Sequence, residues 1–156
     1  MKKPGLTHIT EQGKIRMVDV TGKPLVVRRA VAKGRIRMKP STLGLILRKE
    51  IAKGDVFAAA RLAGIMGAKK ASELIPLCHP LPLTSIAVDL AADPRRGRVE
   101  IAAEVKTEAK TGVEIEALTA VIAAALAVYD MVKAVDRTME IGGIRLVSKT
   151  KEAPAP

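Results

Sequence analysis

Alternating apolar and polar positions at residues 25–39 predict a long β-strand whose two sides differ in character. One side is largely charged. The other side is apolar except for one cation, and its members are Arg28, Ala30, Ala32, Gly34, Ile36 and Met38. Burying a cation on an apolar side requires a charged partner. Arg28 therefore marks a ligand site or an interface, or it is an arginine at the sheet edge that reaches to water.

A run of helical segments follows this strand. Pro40 ends the strand, and either Ser41 or Thr42 can cap a helix that runs to about Lys53. Asp55 is the predicted cap of a second helix. The apolar residues of that helix recur at helical spacing and are Val56, Ala59, Ala60, Ala63 and Met66.

A short third helix over residues 69–74 leads to a loop that contains three prolines between residues 76 and 82. Proline removes a backbone donor and fixes φ, so this stretch cannot form a regular helix or a central strand. We therefore predict a rigid, apolar and irregular loop, which displays Cys78 and His79.

The second half of the chain contains a hairpin, a long helix and a last strand. Apolar and polar residues alternate over residues 86–90 and again over residues 99–106, with a turn between them at residues 94–97. An alanine-rich helix over residues 113–135 and a strand over residues 141–149 follow. The order of elements is that of an α+β, ferredoxin-like antiparallel sheet with helices packed on one face and extra helices after the first strand.

The long helix places small residues between two acidic ones. Glu116 and Asp130 lie on one face, about 21 Å apart along the helix axis. Ala120, Ala123 and Ala127 lie between them, where a ligand or another helix could come close. One ligand could touch both acids only if it were long. Otherwise the two acids belong to separate points, which different subunits could share.

Composition predicts a single cytoplasmic domain. The 156 residues are 48% hydrophobic and 28% charged, as in ordinary globular domains. We place that domain at residues 1–150 and expect residues 151–156 to be a disordered tail. The single cysteine, Cys78, excludes an intrachain disulfide. The longest apolar run, residues 120–129, is too short to span a membrane.

Positive charge is concentrated at the start of the chain. The formal net charge is +11, and residues 1–50 contain 13 basic and 3 acidic residues. Such a cluster attracts a nucleotide phosphate or a nucleic acid, unless it is only a solvated strand face with a flexible arm. Phe57 and Tyr129 are the only aromatic residues. This scarcity argues against nucleic acid, because proteins that track single strands stack the bases on aromatic rings.

Several side chains could carry chemistry. Asp130 and Lys133 form either an acid/base pair or a surface salt bridge, and the residues alone favour the salt bridge. Lys53 could hold a phosphate at the next helix start, or be a solvated lysine beside a helix cap. His79 could contact a ligand, or be a satisfied, half-buried histidine. No metal-ligand spacing recurs, so we predict no metal site.

Two runs of sequence resemble one enzyme family. They are SELIPLCHPL at residues 72–81 and TGVEIEALTA at residues 111–120. Similar residues surround Asp130, and the resemblance covers about residues 6–150. The chain is identified as a member of the molybdenum cofactor biosynthesis protein C family, which is also called the cyclic pyranopterin monophosphate synthase family.

The resemblance implies an activity and a set of site residues. Members of the family convert (8S)-3′,8-cyclo-7,8-dihydroguanosine 5′-triphosphate to cyclic pyranopterin monophosphate and release diphosphate, a lyase reaction of molybdenum cofactor biosynthesis. The catalytic residues of the family fall on Asp130, Lys133 and Lys53. Its substrate-binding residues fall on Leu77, Cys78, His79, Glu114, Ile115, Glu116 and Arg28.

The resemblance also implies partners. Members are ferredoxin-like homohexamers, built as trimers of dimers, with sites at subunit interfaces. The substrate is a small molecule derived from GTP. No cofactor, nucleic acid or membrane is expected, although a divalent cation can accompany the substrate phosphates. The chain departs from the family pattern at Ile115, where Met is common, and at Lys151-Glu152, where a Gly-Gly pair is common.

Two other functions fit parts of the sequence. Ferredoxin-like sandwiches often serve as ligand sensors, so the chain could be a non-catalytic nucleotide-binding sensor module. The combination of Asp130, Lys133, Lys53 and His79 favours the enzyme, because a sensor would not need all four. The net charge suggests a nucleic-acid-binding protein, which the scarcity of aromatic rings opposes.

Overall fold

The computed structural model describes residues 8–10 and 12–153, and its elements follow the predicted order. The elements are β1 (Val26–Arg37), α1 (Pro40–Leu47), α2 (Val56–Lys69), α3 (Ala71–Leu74), β2 (Leu83–Asp93), β3 (Arg98–Ala109), α4 (Glu114–Val132) and β4 (Glu140–Glu152). A single 3-10 turn, Pro94–Arg96, joins β2 to β3. The proline-rich loop between α3 and β2 contains no helix or strand, as predicted.

The four strands form one antiparallel sheet in the order β2-β3-β1-β4. This order places β1 and β3 in the centre, as in a ferredoxin-like sandwich. Helices α2 and α4 pack against each other and against the sheet. The predicted fold class, an α+β ferredoxin-like sheet with extra helices after the first strand, is confirmed.

The alternation along β1 separates the two faces of the sheet as predicted. Ala30, Ala32 and Ile36 are at most 1% exposed under the helices. Arg29 lies on the opposite, open face and pairs with Glu104 of β3. Part of the N-terminal positive charge is therefore neutralised across the sheet. The strand face thus accounts for some of the charge without any bound polyanion.

Small residues let α4 approach both β1 and α2 closely. A Cβ atom added to Gly34 would lie 2.7 Å from Cγ1 of Val121, and one added to Gly67 would lie 2.6 Å from the Cβ of Ala123. Both distances are shorter than a van der Waals contact allows. The sequence left open whether a ligand or a helix approaches the alanine face of α4. At Ala123 the close neighbour is helix α2, so a helix and not a ligand packs against this part of the face.

Helix α1 differs from its prediction at both ends. It begins at Pro40, after the N-cap residue Lys39, and neither Ser41 nor Thr42 caps it. Proline suits the first helical position because its fixed φ is helical and its missing N–H would have no partner there. The helix ends at Leu47 and not near Lys53, and residue Lys49 then adopts a positive φ of 57°.

Helix α2 begins as predicted, and its buried face differs from the prediction in one place. Oδ1 of Asp55 accepts a hydrogen bond of 3.0 Å from the backbone N–H of Ala58, which confirms the N-cap. Met66, predicted on the apolar face, is 50% exposed. The buried positions are Val56, Ala60, Gly64 and Ala68, which lie four residues apart. This spacing leaves Met66 on the outer side of the helix.

The last strand is longer than expected. β4 pairs with β1 as far as Glu152, which is opposite Val27, and Lys151 is opposite Arg28. Both residues belong to the segment 151–156 that the sequence predicts to be a disordered tail, so this prediction is wrong for them. They join the sheet because β1 offers backbone hydrogen-bonding groups along its whole length. Residues 154–156 lie outside the described residues, and their disorder stays a prediction.

Asp136 ties the end of α4 to the start of α1. The residue is 1% exposed. Oδ2 accepts hydrogen bonds from the Lys39 backbone N–H and the Thr42 hydroxyl, both at 3.0 Å. Oδ1 accepts from the backbone N–H and the hydroxyl of Thr138 at 2.9 and 2.7 Å. Burial opposes the charged form, but these donors outweigh it and hold the pKa of Asp136 well below its usual range.

We expect Asp136→Asn to lower the free energy of unfolding by about 2–3 kcal/mol at neutral pH, because it weakens hydrogen bonds to a buried charge. A carboxyl whose folded pKa is depressed stabilises the fold above its unfolded pKa, which is about 4, and this contribution is lost as the pH falls toward the folded pKa. The difference between wild type and variant should therefore shrink below about pH 4 in urea titrations.

The control is Asp89→Asn, at an exposed position on β2. It should change the free energy of unfolding by less than about 0.5 kcal/mol. Equal effects of the two substitutions would contradict the special role of Asp136.

Candidate active site

A cavity of about 390 Å³ opens where three segments of the chain meet. The segments are the N-terminal stretch of residues 8–23, the proline-rich loop and the start of α4. The lining residues are His8, Val18, Val20, Lys23, Leu77, Cys78, His79, Leu81, Thr111, Gly112, Glu114 and Ile115. Five of the seven predicted substrate-binding residues are therefore brought together: Leu77, Cys78, His79, Glu114 and Ile115. The volume is within the usual range for small-molecule sites.

His79 is held by the N-terminal stretch. Its Nε2 atom lies 2.8 Å from the backbone carbonyl oxygen of Val18. The following residue, Pro80, restricts the backbone of His79 to extended conformations. The imidazole thus has a fixed backbone and one ring nitrogen engaged, while the side chain still borders the cavity.

Glu116 lies behind Cys78 and not in the wall of this cavity. The residue is 3% exposed, and its Oε1 atom is 3.5 Å from the Cys78 sulfur. Its Oε2 atom has no hydrogen-bond partner among the described residues. Burial raises the pKa of Glu116, and the charge of Glu114 adds to this effect. Burial and the neighbouring Glu116 raise the pKa of Cys78 to about 11.

A second cavity, of about 330 Å³, adjoins the first, since Gly112 and Glu114 line both. Its other lining residues are Arg28, Arg29, Val113, Lys149, Thr150 and Lys151. Lys149 pairs with Glu114 at 3.1 Å. The cavity is therefore rich in cations, which form strong hydrogen bonds to anionic oxygens.

Two of these cations, Lys149 and Lys151, are not among the site residues predicted from the sequence. The available signal was their i, i+2 spacing on the last strand, which places both side chains on one face. The place of Arg28 on the apolar side of β1 predicts a charged partner for its guanidinium. The structure instead shows its guanidinium donating to the backbone carbonyls of Ala109 and Lys110, both at 3.1 Å. Carbonyl dipoles therefore hold this cation in place.

The three predicted catalytic residues meet at the other end of α4. Nζ of Lys133 lies 2.7 Å from Oδ1 of Asp130, and Nζ of Lys53 lies 3.1 Å from Oδ2. Nζ of Lys53 also donates to the Asp130 backbone carbonyl at 2.8 Å. Hydrogen bonds from Lys133 and then Lys53 lower the pKa of Asp130, and Asp130 in turn raises the pKa of Lys133. At neutral pH the Asp130–Lys133 pair is therefore a carboxylate and an ammonium ion.

The structure does not bring the two groups of predicted residues together within one chain. Glu116 and Asp130 lie on the same helix, fourteen residues apart. At 1.5 Å per residue their Cα atoms are separated by about 21 Å along the axis. They also differ in environment, since Glu116 is buried whereas the side chain of Asp130 is 59% exposed.

Within residues 8–10 and 12–153, no group of three or more His, Cys, Asp or Glu side chains is placed to hold a metal ion. By length and composition α4 could cross a membrane, because the helix is longer than the apolar run noted in the sequence. In the structure α4 contacts β1, β3, β4 and α2. It is thus the central helix of a folded domain.

The fold is an α+β sandwich, and its two adjoining cavities have the size of a small-molecule site. The chain belongs to the MoaC family, whose model matches residues 17–152. The resemblance noted in the sequence is therefore confirmed.

Curated relatives agree over nearly the whole chain. A cyclic pyranopterin monophosphate synthase of Pelotomaculum thermopropionicum is 61% identical over 146 residues, which are 94% of this chain and 86% of the relative. Proteins of the same name from Cereibacter sphaeroides (strain KD131) and Roseiflexus sp. (strain RS-1) are each 57% identical over 145 residues, 93% of this chain. The matched regions are 91% and 92% of those relatives.

The raised pKa of Cys78 predicts slow alkylation of the folded protein by iodoacetamide. At pH 8 the thiolate fraction should be about a hundredfold lower than in the urea-unfolded chain, since each pKa unit is a factor of ten. Cys78 is the only cysteine, so mass spectrometry reports its rate directly. Glu116→Gln should speed the reaction, because it removes a negative charge that opposes the thiolate.

The matched control is Glu114→Gln. Glu114 pairs with Lys149 and does not contribute to the pKa shift of Cys78, so this substitution should leave the rate unchanged. Equal alkylation rates in the folded and unfolded wild type would contradict the prediction.

Proposed function

We propose that this protein is a cyclic pyranopterin monophosphate synthase. It converts the cyclised dihydro-GTP named above to cyclic pyranopterin monophosphate and releases diphosphate, as a lyase of molybdenum cofactor biosynthesis. The observation that carries the proposal is 61% identity, over 94% of the chain, to a relative of that name. The family match at residues 17–152 includes the ion-pair cluster, the second cavity and every lining residue of the first cavity except His8.

The lining of the two cavities suits a substrate that has both a ring system and phosphate groups. The first cavity offers apolar walls from Leu77, Leu81 and Ile115 to the ring system. The second offers the cations Arg28 and Lys149 to phosphate oxygens, which accept charge-assisted hydrogen bonds. We propose that no cofactor is held by the protein, and that a divalent cation, where one takes part, enters with the substrate phosphates.

The ion-pair cluster supports proton transfer. Oδ1 of Asp130 is an ionised base, and Nζ of Lys133 is a protonated acid at 2.7 Å from it. A substrate that separates the two groups would lower the pKa of Lys133, because its high value depends on Asp130. The ammonium would then release its proton more readily. Lys53 stays close enough to Asp130 to replace part of the lost charge.

The separation of about 21 Å along α4 supports a site built from two chains. The cavity of one protomer would face the Asp130 cluster of another. Apolar side chains on the outer sides of α2 and α4 are exposed and could be covered by subunit contact: Leu62, Met66, Ile122 and Leu126 are each at least 40% exposed. We propose a cytoplasmic homohexamer, arranged as a trimer of dimers.

We expect the purified protein to release diphosphate from the cyclised dihydro-GTP in a single-turnover assay. Asp130→Ala and Lys133→Ala should each reduce the rate by about 10²–10⁴-fold, since general acid or base catalysis is lost. Both variants should still bind the substrate, because the cavity lies at the other end of α4. Tight binding without diphosphate release by the wild type would refute the enzyme and favour a nucleotide sensor.

A mixing experiment tests the composite site. We expect Asp130→Ala and His79→Ala to be inactive alone and to recover activity, roughly a quarter of wild type for random pairing, after co-expression and isolation of mixed oligomers. Some sites then receive an intact cavity from one chain and an intact cluster from another.

The control for the mixing experiment combines Asp130→Ala with Lys133→Ala. Both changes affect the same end of α4, so no site receives an intact cluster and no activity should return. Failure of recovery in mixed oligomers of the first pair would contradict a site shared between chains.

A further inference from the structure

The N-terminal residues 18–21 form a strap along the first cavity and belong to no helix or strand. Val18 and Val20 line the cavity. The strap is tied at two points of its backbone. The carbonyl oxygen of Val18 lies 2.8 Å from Nε2 of His79, and the carbonyl oxygen of Thr21 accepts a hydrogen bond of 2.6 Å from Nζ of Lys110. Oδ1 of Asp19 accepts from the Thr21 N–H at 2.8 Å and fixes the turn between them.

The Val18 carbonyl restricts the chemistry of His79. A carbonyl oxygen can only accept a hydrogen bond, so Nε2 of the imidazole must carry the proton in this contact. In a neutral imidazole the other nitrogen, Nδ1, then holds the lone pair. No described residue forms a hydrogen bond with Nδ1 of His79.

We propose that the strap is a positioning element that selects the Nε2–H tautomer of His79 and that Lys110 holds the strap in place. Nδ1 is then the nitrogen of His79 that is free to accept a proton or a hydrogen bond from a ligand in the cavity. The tautomer follows from the geometry alone. Its use in catalysis rests on the proposed function.

Because Lys110 holds the strap through Thr21, a substitution of Lys110 can release the strap while His79 itself is unchanged. Lys110 lies just after β3 and does not line the first cavity. Lys110→Met removes the ammonium that binds Thr21 and retains most of the apolar stem. Lys106→Met is the matched control, because Lys106 lies on β3 four residues before Lys110 and pairs with Glu104 instead of the strap.

The measurement is ¹H–¹⁵N NMR of protein labelled at histidine nitrogen, at a pH well above the ordinary histidine pKa of about 6.5. The chain has two histidines, so His8→Gln assigns the signals of His79. We expect a solvent-protected Nε2–H signal and an unprotonated Nδ1 in the wild type and in Lys106→Met. In Lys110→Met and in Asp19→Ala the protected Nε2–H signal should be lost to solvent exchange.

Two results would overturn the proposal. One is a protonated Nδ1 in neutral His79 of the wild type. The other is an Nε2–H signal that stays protected in both strap variants. In the diphosphate assay, Lys110→Met should also lower the single-turnover rate by roughly tenfold or more, with Lys106→Met unaffected. Absence of activity in the wild type would refute the proposed function, whereas the NMR result would still decide whether the strap sets the tautomer.

Discussion

Helix α4 lies so close to β1 and to α2 that both neighbours need glycine at the contact. A side chain at Gly34 would overlap Val121, and one at Gly67 would overlap Ala123. Because this close packing buries the middle turns of the helix, the rotation and depth of α4 are fixed relative to the sheet. The polar residues at its two ends are consequently held in place by a rigid element, with a separation set by the helical rise.

Glu116 and Asp130 lie near the two ends of α4, and the pKa values of their carboxyl groups shift in opposite directions. Glu116 is buried beside Cys78 of the proline-rich loop, and burial raises its pKa. Asp130 is exposed between two lysines, which lower its pKa. Environments that move carboxyl pKa values apart are typical of enzymes that need both an acid and a base. Because a rigid helix cannot shorten the distance between them, a single chain could bring both groups only to a long ligand.

Local patterns predicted the elements well where one rule dominated. Alternation identified both faces of β1, and the side chain of Asp55 marked the start of α2. Prediction failed where two local rules competed. At the start of α1, Pro40 occupies the first helical position. The hydroxyl of Thr42 donates a hydrogen bond to Asp136 and does not cap the helix. For the candidate site, the sequence did not predict Lys149 and Lys151. Their place in the second cavity depends on the pairing of β4 with β1, which no local pattern predicts.

The sequence by itself determined the two faces of β1, since hydrophobic periodicity is a property of neighbouring positions. It also determined the family, because long specific runs of residues were present. Only the tertiary structure decided which distant residues meet. Lys53 reaches Asp130 across 77 positions, and Cys78 reaches Glu116 across 38. Such contacts depend on how closely elements pack, and therefore on side-chain volumes at places such as Gly34 and Gly67 that no local pattern reveals.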